Sequence, residues 1–138
     1  MRVMAALLRR TGRARTHASG TVNGGTMPKY IAIFSYSNGS WARMISSPSD
    51  RITVVQETLE ALGGSLECLY WQLGTHDGYA IGDVPDSVTA EALGAALIKT
   101  GAFKSVEGHE LLTQQQLMQT LDLARDAGQV YEVPGQSV

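Results

Sequence analysis

Between Lys29 and Tyr36 the sequence KYIAIFSY places apolar residues on both alternating sets, Tyr30, Ala32 and Phe34 on one and Ile31 and Ile33 on the other. A strand with two apolar faces belongs at the centre of a sheet and is covered on both sides. Asn38-Gly39 then reads as a turn, and residues 40–46 as a short helical piece. A clearer helix is expected from Ser47, with Pro48 in its first turn and Asp50 three residues on, in the capping-box place. Ile52, Val55, Leu59 and Leu62 give it one apolar stripe, opposite Gln56, Glu57 and Glu60, and Gly63-Gly64 ends it.

Residues 65–73 alternate Leu66, Cys68 and Tyr70 against Glu67, Leu69, Trp71 and Leu73. After the loop Gly74-Thr75-His76-Asp77 comes a second short strand, residues 78–84, stopped by Pro85, and two strands this close predict a hairpin. From Ser87, Ala90, Ala92, Gly94, Ala95 and Ala96 predict a helix that lays its backbone close to the sheet and ends at Gly101. Residues 103–112 form a fourth, less regular strand. Thr113 and Gln116 make a capping box for a last helix, with Leu117, Leu121 and Ala124 on one side, closing at Gly128. The tail from Gln129, with Pro134 and Gly135, carries no helical pattern.

The order β-α-β-β-α-β plus a helix is that of an α+β, ferredoxin-like sandwich with a four-stranded antiparallel sheet. Both main helices then lie on one sheet face, yet the first strand is apolar on both. The missing layer is expected from a second copy of the chain, sheet against sheet, giving a homodimer or a higher even oligomer.

Charge divides the chain at Met27. Residues 1–26 carry five arginines and no acid, leaving six Lys/Arg against all thirteen Asp/Glu in the remainder, a net charge of −7. An acidic body repels phosphate backbones, so no nucleic-acid partner is expected for it. The basic segment 1–26 has three readings: an extension ahead of a natural start at Met27, an interaction arm, or an amphipathic targeting peptide. Cys68 is the only cysteine, which forbids an internal disulfide and fits a reducing, cytoplasmic setting. No apolar run reaches the length of a membrane span. The domain plan is therefore a basic extension, 1–26, one folded unit, 27–128, and a tail, 129–138.

Three stretches, MPKYIAIFSYSNGSWARMISSPSDR, ALGGSLECLYWQLGTHDGYAIGDVPD and LARDAGQVYEVPG, resemble the GYD-domain family, a branch of the dimeric α/β-barrel superfamily. The likeness runs from Met27 to about Gly135. It implies a ferredoxin-like fold that pairs into a barrel, but no particular reaction. The family signature, Gly-x-Tyr-Asp between the second and third strands, falls on Gly74, His76 and Asp77, with histidine in the tyrosine place.

Three acids and bases are candidates for chemistry. His76 and Asp77 together have the composition of a general-base pair, or else form a solvated turn in which Asp77 bonds its own backbone. Asp83 shares a strand face with Tyr79 and Ile81, so it needs a partner, for which Arg43 is available; the alternative is a carboxylate at a strand end. Tyr36, Trp41, Arg43, Trp71 and Tyr79 are the candidate ligand-binding residues. Glu107 and His109 alternate on one strand, but no HExxH or paired Cys/His spacing completes a metal site, and no GxGxxG or Walker sequence is present, so no metal or cofactor is expected. Two functions remain: a small-molecule-binding protein or cofactor-independent enzyme with a pocket between helices and sheet, and an assembly module acting through sheet face, tail and basic arm.

Overall fold

The computed structural model describes residues 27–136; the segment 1–26, with its three readings, and the last two residues lie outside the described residues. The elements are β1 (Lys29–Tyr36), α1 (Asn38–Ser46), α2 (Arg51–Ala61), β2 (Ser65–Trp71), β3 (Gly78–Asp83), α3 (Ser87–Lys99), β4 (Phe103–Leu111) and α4 (Gln114–Val130). All strand pairs are antiparallel, in the order β2-β3-β1-β4. This is the α+β, ferredoxin-like sheet that the pattern predicts, with β1 central and the extra helix at the C-terminus. Among the described residues no helix is long and apolar enough to cross a membrane.

The two faces of β1 meet different surroundings. Tyr30, Ala32, Phe34 and Tyr36 face α2 and α3, and the buried core of Phe34, Tyr36 and Leu69 lies there, with Val55, Leu66, Ala80, Phe103 and Val106 packed against it. Ile31 and Ile33 face the other way, beside Ile81 and Tyr79 of β3 in register. No described element covers that face: α1, α2 and α3 pack on the first, and α4 is exposed along its whole length.

The chain departs from the sequence pattern at several points. Asn38-Gly39 is no turn but the first turn of α1, because the Ser37 hydroxyl accepts the Ser40 N–H at 3.2 Å and caps that helix. Ser47 ends α1, its N–H bonded to the Arg43 carbonyl at 2.8 Å, instead of starting the next helix. Pro48 explains the shift: it disfavours helical backbone at the residue before it. The chain restarts at Asp50, whose carboxylate accepts the Thr53 N–H at 3.0 Å as the cap of α2. Within α2, Leu59 is buried, but Ile52 is exposed.

In β2 the alternation breaks. A bulge between Leu66 and Cys68 sets Leu66 against Gly82 and Leu69 against Ala80, so both leucines face the helices while Cys68 and Tyr70 face away. The hairpin itself forms as expected. Close approach requires glycine at Gly78, where a Cβ would stand 2.6 Å from both the Phe34 ring and the Tyr70 carbonyl oxygen. The helix α3 lies against β4 but does not lay its backbone close to the sheet as expected. Nothing in α3 is buried, and a Cβ at Gly94 would meet no atom within 4 Å. Finally, α4 runs through Gly128 to Val130, so Gln129 belongs to the helix and not to the tail.

Asp86 caps α3 by accepting the Thr89 N–H at 2.8 Å and the Thr89 hydroxyl at 2.7 Å. The backbone bond first, and the hydroxyl second, hold its carboxyl below the ordinary aspartate value. A carboxyl that releases its proton more readily in the folded state stabilises the fold above the ordinary value, and the effect is lost as pH falls through the lowered folded value. Asp86→Ala is expected to cost about 1 kcal/mol at pH 7. In urea melts, the gap from the parent protein should close in acid.

Candidate functional site

Between α2, α3 and the sheet lies a cavity of about 630 Å³, within the range of about 300–1,000 Å³ usual for small-molecule pockets. Strand register accounts for its floor. Gly108, Ala32 and Ala80 are aligned across β4, β1 and β3, and Leu69 of β2 completes the row. Three neighbouring strands thus present almost no side chain at one level. Above them α3 offers Ala90, Gly94 and Ala95, and α2 offers Val54, Val55 and Thr58. A small-residue helix over a small-residue sheet row leaves space wherever larger residues hold the layers apart. Those spacers are Phe34, Tyr36 and Phe103 towards one end and Tyr30, Leu59 and Val84 towards the other.

The lining is mostly apolar. Its polar side chains are Tyr30, Tyr36 and Thr58, with Arg51, Lys99 and Glu91 as the charges. Thr58 spends its proton on the Val54 carbonyl at 2.7 Å. Burial first, then the charges of Glu110, Asp86 and Glu91, push the Tyr30 phenol above its ordinary value.

At the other end the Tyr36 ring is held from several sides. It stacks on Phe103 at 5.1 Å between centroids, meets Phe34 and Trp41 edge-on at 5.2 and 5.4 Å, and its hydroxyl accepts the Trp71 indole N–H at 3.2 Å. One carboxylate fixes this group. Asp77 Oδ2 accepts the Tyr36 backbone N–H at 2.8 Å and the Trp41 indole N–H at 3.0 Å, while the Asp77 N–H donates to the Phe34 carbonyl at 2.8 Å. The β2–β3 loop is thereby tied to the end of β1 and to α1.

The sequence candidates separate accordingly. Tyr36, Trp41, Trp71 and Asp77 come together, and of these Tyr36 lines the cavity. Asp77 bonds neither its own backbone nor His76; the buried Nδ1 of His76 has no hydrogen-bond partner, so the pair does not assemble as a general base. Arg43 donates to the Ser40 hydroxyl at 3.2 Å and lines a smaller cleft beside α1. Asp83 lies on the open sheet face, 3.3 Å from Lys29 Nζ and from the Ser65 hydroxyl, so its cation is Lys29 and not Arg43. Tyr79 is on that face too, 5.9 Å from Tyr70 between centroids. Lys29 also bonds Glu67, which more than Asp83 raises the ammonium above its ordinary value. Glu107 and His109 are exposed and 3.6 Å apart, and among the described residues no group of three or more His, Cys, Asp or Glu could hold a metal.

Fold and cavity together define a small ferredoxin-like α+β protein with a pocket between its layers. The family model for the GYD domain matches residues 30–121, well over half of the chain. The protein belongs to the GYD domain family. Comparisons with curated proteins and with solved structures give no match. Asp77 acts as a structural latch. Removing its acceptor strands two donors, so Asp77→Ala should lower the unfolding free energy by about 2 kcal/mol in urea melts and shift the near-ultraviolet signal of Trp41.

Proposed function

We propose that this GYD-domain protein binds a small, largely apolar molecule between its two helices and its sheet, and that it works as a homo-oligomer associated through the open sheet face. The observation that carries the binding reading is the matched emptiness of the two layers. Gly108, Ala32 and Ala80 lie beneath Ala90, Gly94 and Ala95, where protein interiors are ordinarily close-packed. Larger residues at these positions would close the space, so the small ones reserve it. A cofactor-independent reaction in the same cavity would draw on the groups that line it, Tyr30, Tyr36 and Glu91, and not on His76 or Asp83, which lie off it.

The oligomer reading is supported by Ile31, Ile33 and Ile81 on a face that no described element covers. The α4 helix favours the second reading, an assembly module, because Leu117, Met118, Leu121 and Leu123 are all exposed on it. Both readings need a second copy; only the first needs the cavity.

Gly94→Leu tests the cavity. The site has room for the side chain, and leucine is a better helix former than glycine, by somewhat less than the ~1 kcal/mol that separates glycine from alanine, so the fold should survive. Binding of the uncharged fluorophore 1-aminoanthracene is expected for the parent protein and lost in this variant. Ile33→Glu tests the face: it should convert an even oligomer to monomer by sedimentation velocity, and an unchanged sedimentation coefficient would remove the sheet-face interface.

A further inference from the structure

The cavity is electrically polarised along its length. Arg51 opens α2 and lines both the cavity and the neighbouring small cleft, in each case together with Tyr36 and Phe103. Lys99 closes α3 four residues before Phe103, and Phe103 pairs with Tyr36 in the sheet. Both cations therefore stand at the Tyr36 end. Neither has a carboxylate within 4 Å among the described residues. The carboxylate nearest in sequence to Arg51, that of Asp50, is engaged by the Thr53 N–H and hydroxyl.

The opposite end is acidic. Glu91 lines it, early in α3, and the Tyr30 phenol there, raised first by burial, is raised further by Glu110, Asp86 and Glu91. Between the two ends the walls are aliphatic and aromatic. An apolar body lying along such a cavity gains by burial whatever its direction, but a charged head does not. A negative head is attracted at the Arg51 and Lys99 end and repelled at the other, which fixes one orientation.

Resting on the binding reading above, we infer that the ligand is an amphipathic anion, an apolar body bearing one acidic head, with the head at Arg51 and Lys99 and the body over the Ala32–Ala80 row. Two unpaired cations against one lining carboxylate favour this ligand over its cationic counterpart. The arrangement also asks for a single acidic head, since a second negative charge at the far end would face Glu91.

The test uses the full-length protein and displacement of bound 1-aminoanthracene by decanoate, decanol and decyltrimethylammonium, each below its micellar concentration. Decanoate should displace the probe at about tenfold lower concentration than decyltrimethylammonium, as expected for a head bonded to cationic donors. In the double variant Arg51→Gln/Lys99→Gln, checked for fold by circular dichroism, that advantage should vanish while decanol is unaffected. Equal displacement by all three, tighter binding of the ammonium, or a decanoate advantage that survives the double variant would overturn the assignment of the anion and leave the cavity reading standing. Failure of the parent protein to bind 1-aminoanthracene or any of the three would overturn both.

Discussion

Strand register is the constraint on which the rest of the molecule depends. Because β1 pairs with β3 and β4 at once, the side chain at each of its positions is flanked by a fixed partner on either side. Ala32 has Gly108 and Ala80 as those partners. A one-residue slip of either neighbour would bring the opposite face of that strand to the row and fill it. The cavity is thus a property of the pairing and not of any single residue. The helices cannot close down on it, because Phe34, Tyr36 and Leu59 hold the layers apart at the two ends.

The pairing is kept in place by a polar device. The β2–β3 connection could pivot freely if it were joined only through its strands. Asp77 prevents this by offering one carboxylate oxygen to a β1 backbone N–H and to an indole on α1. Through Tyr36 the same carboxylate reaches the wall of the cavity. Asp77 is therefore a structural residue, in contact with the site through Tyr36 and not itself inside it.

Much of this was legible in the chain. The order of elements, the central place of β1, the hairpin and the Thr113–Gln116 capping box follow from local patterns, and the antiparallel sheet follows from their order. What local pattern misreads is competition between neighbouring signals. Ser37, Ser47 and Asp50 are all good helix caps, and only the restriction Pro48 places on Ser47 decides which of them start helices. The bulge in β2 is invisible to strict alternation, since Leu66 and Leu69 share a face although three positions apart. At the site, the aromatics Tyr36, Trp41 and Trp71 are legible because large side chains announce themselves. A pocket between helices and sheet is expected from the chain, but the small residues that line it are not legible, for the opposite reason. Its signal is the coincidence of Gly108, Ala32, Ala80 and Gly94, four small residues far apart in sequence, and that coincidence exists only once the register is known.

The bulge in β2 has a consequence at the rim of the sheet. Both outer strands, β2 and β4, end the ladder with unsatisfied backbone groups, the usual invitation to add further strands. On one rim the bulge twists the strand and breaks the regular spacing that an incoming chain would need, with Glu67 at the break. On the other, Lys104, Glu107 and Glu110 put charge along β4. Lateral growth into a continuous ribbon is obstructed on both sides, so the face-to-face association proposed above would stop once the two faces are covered.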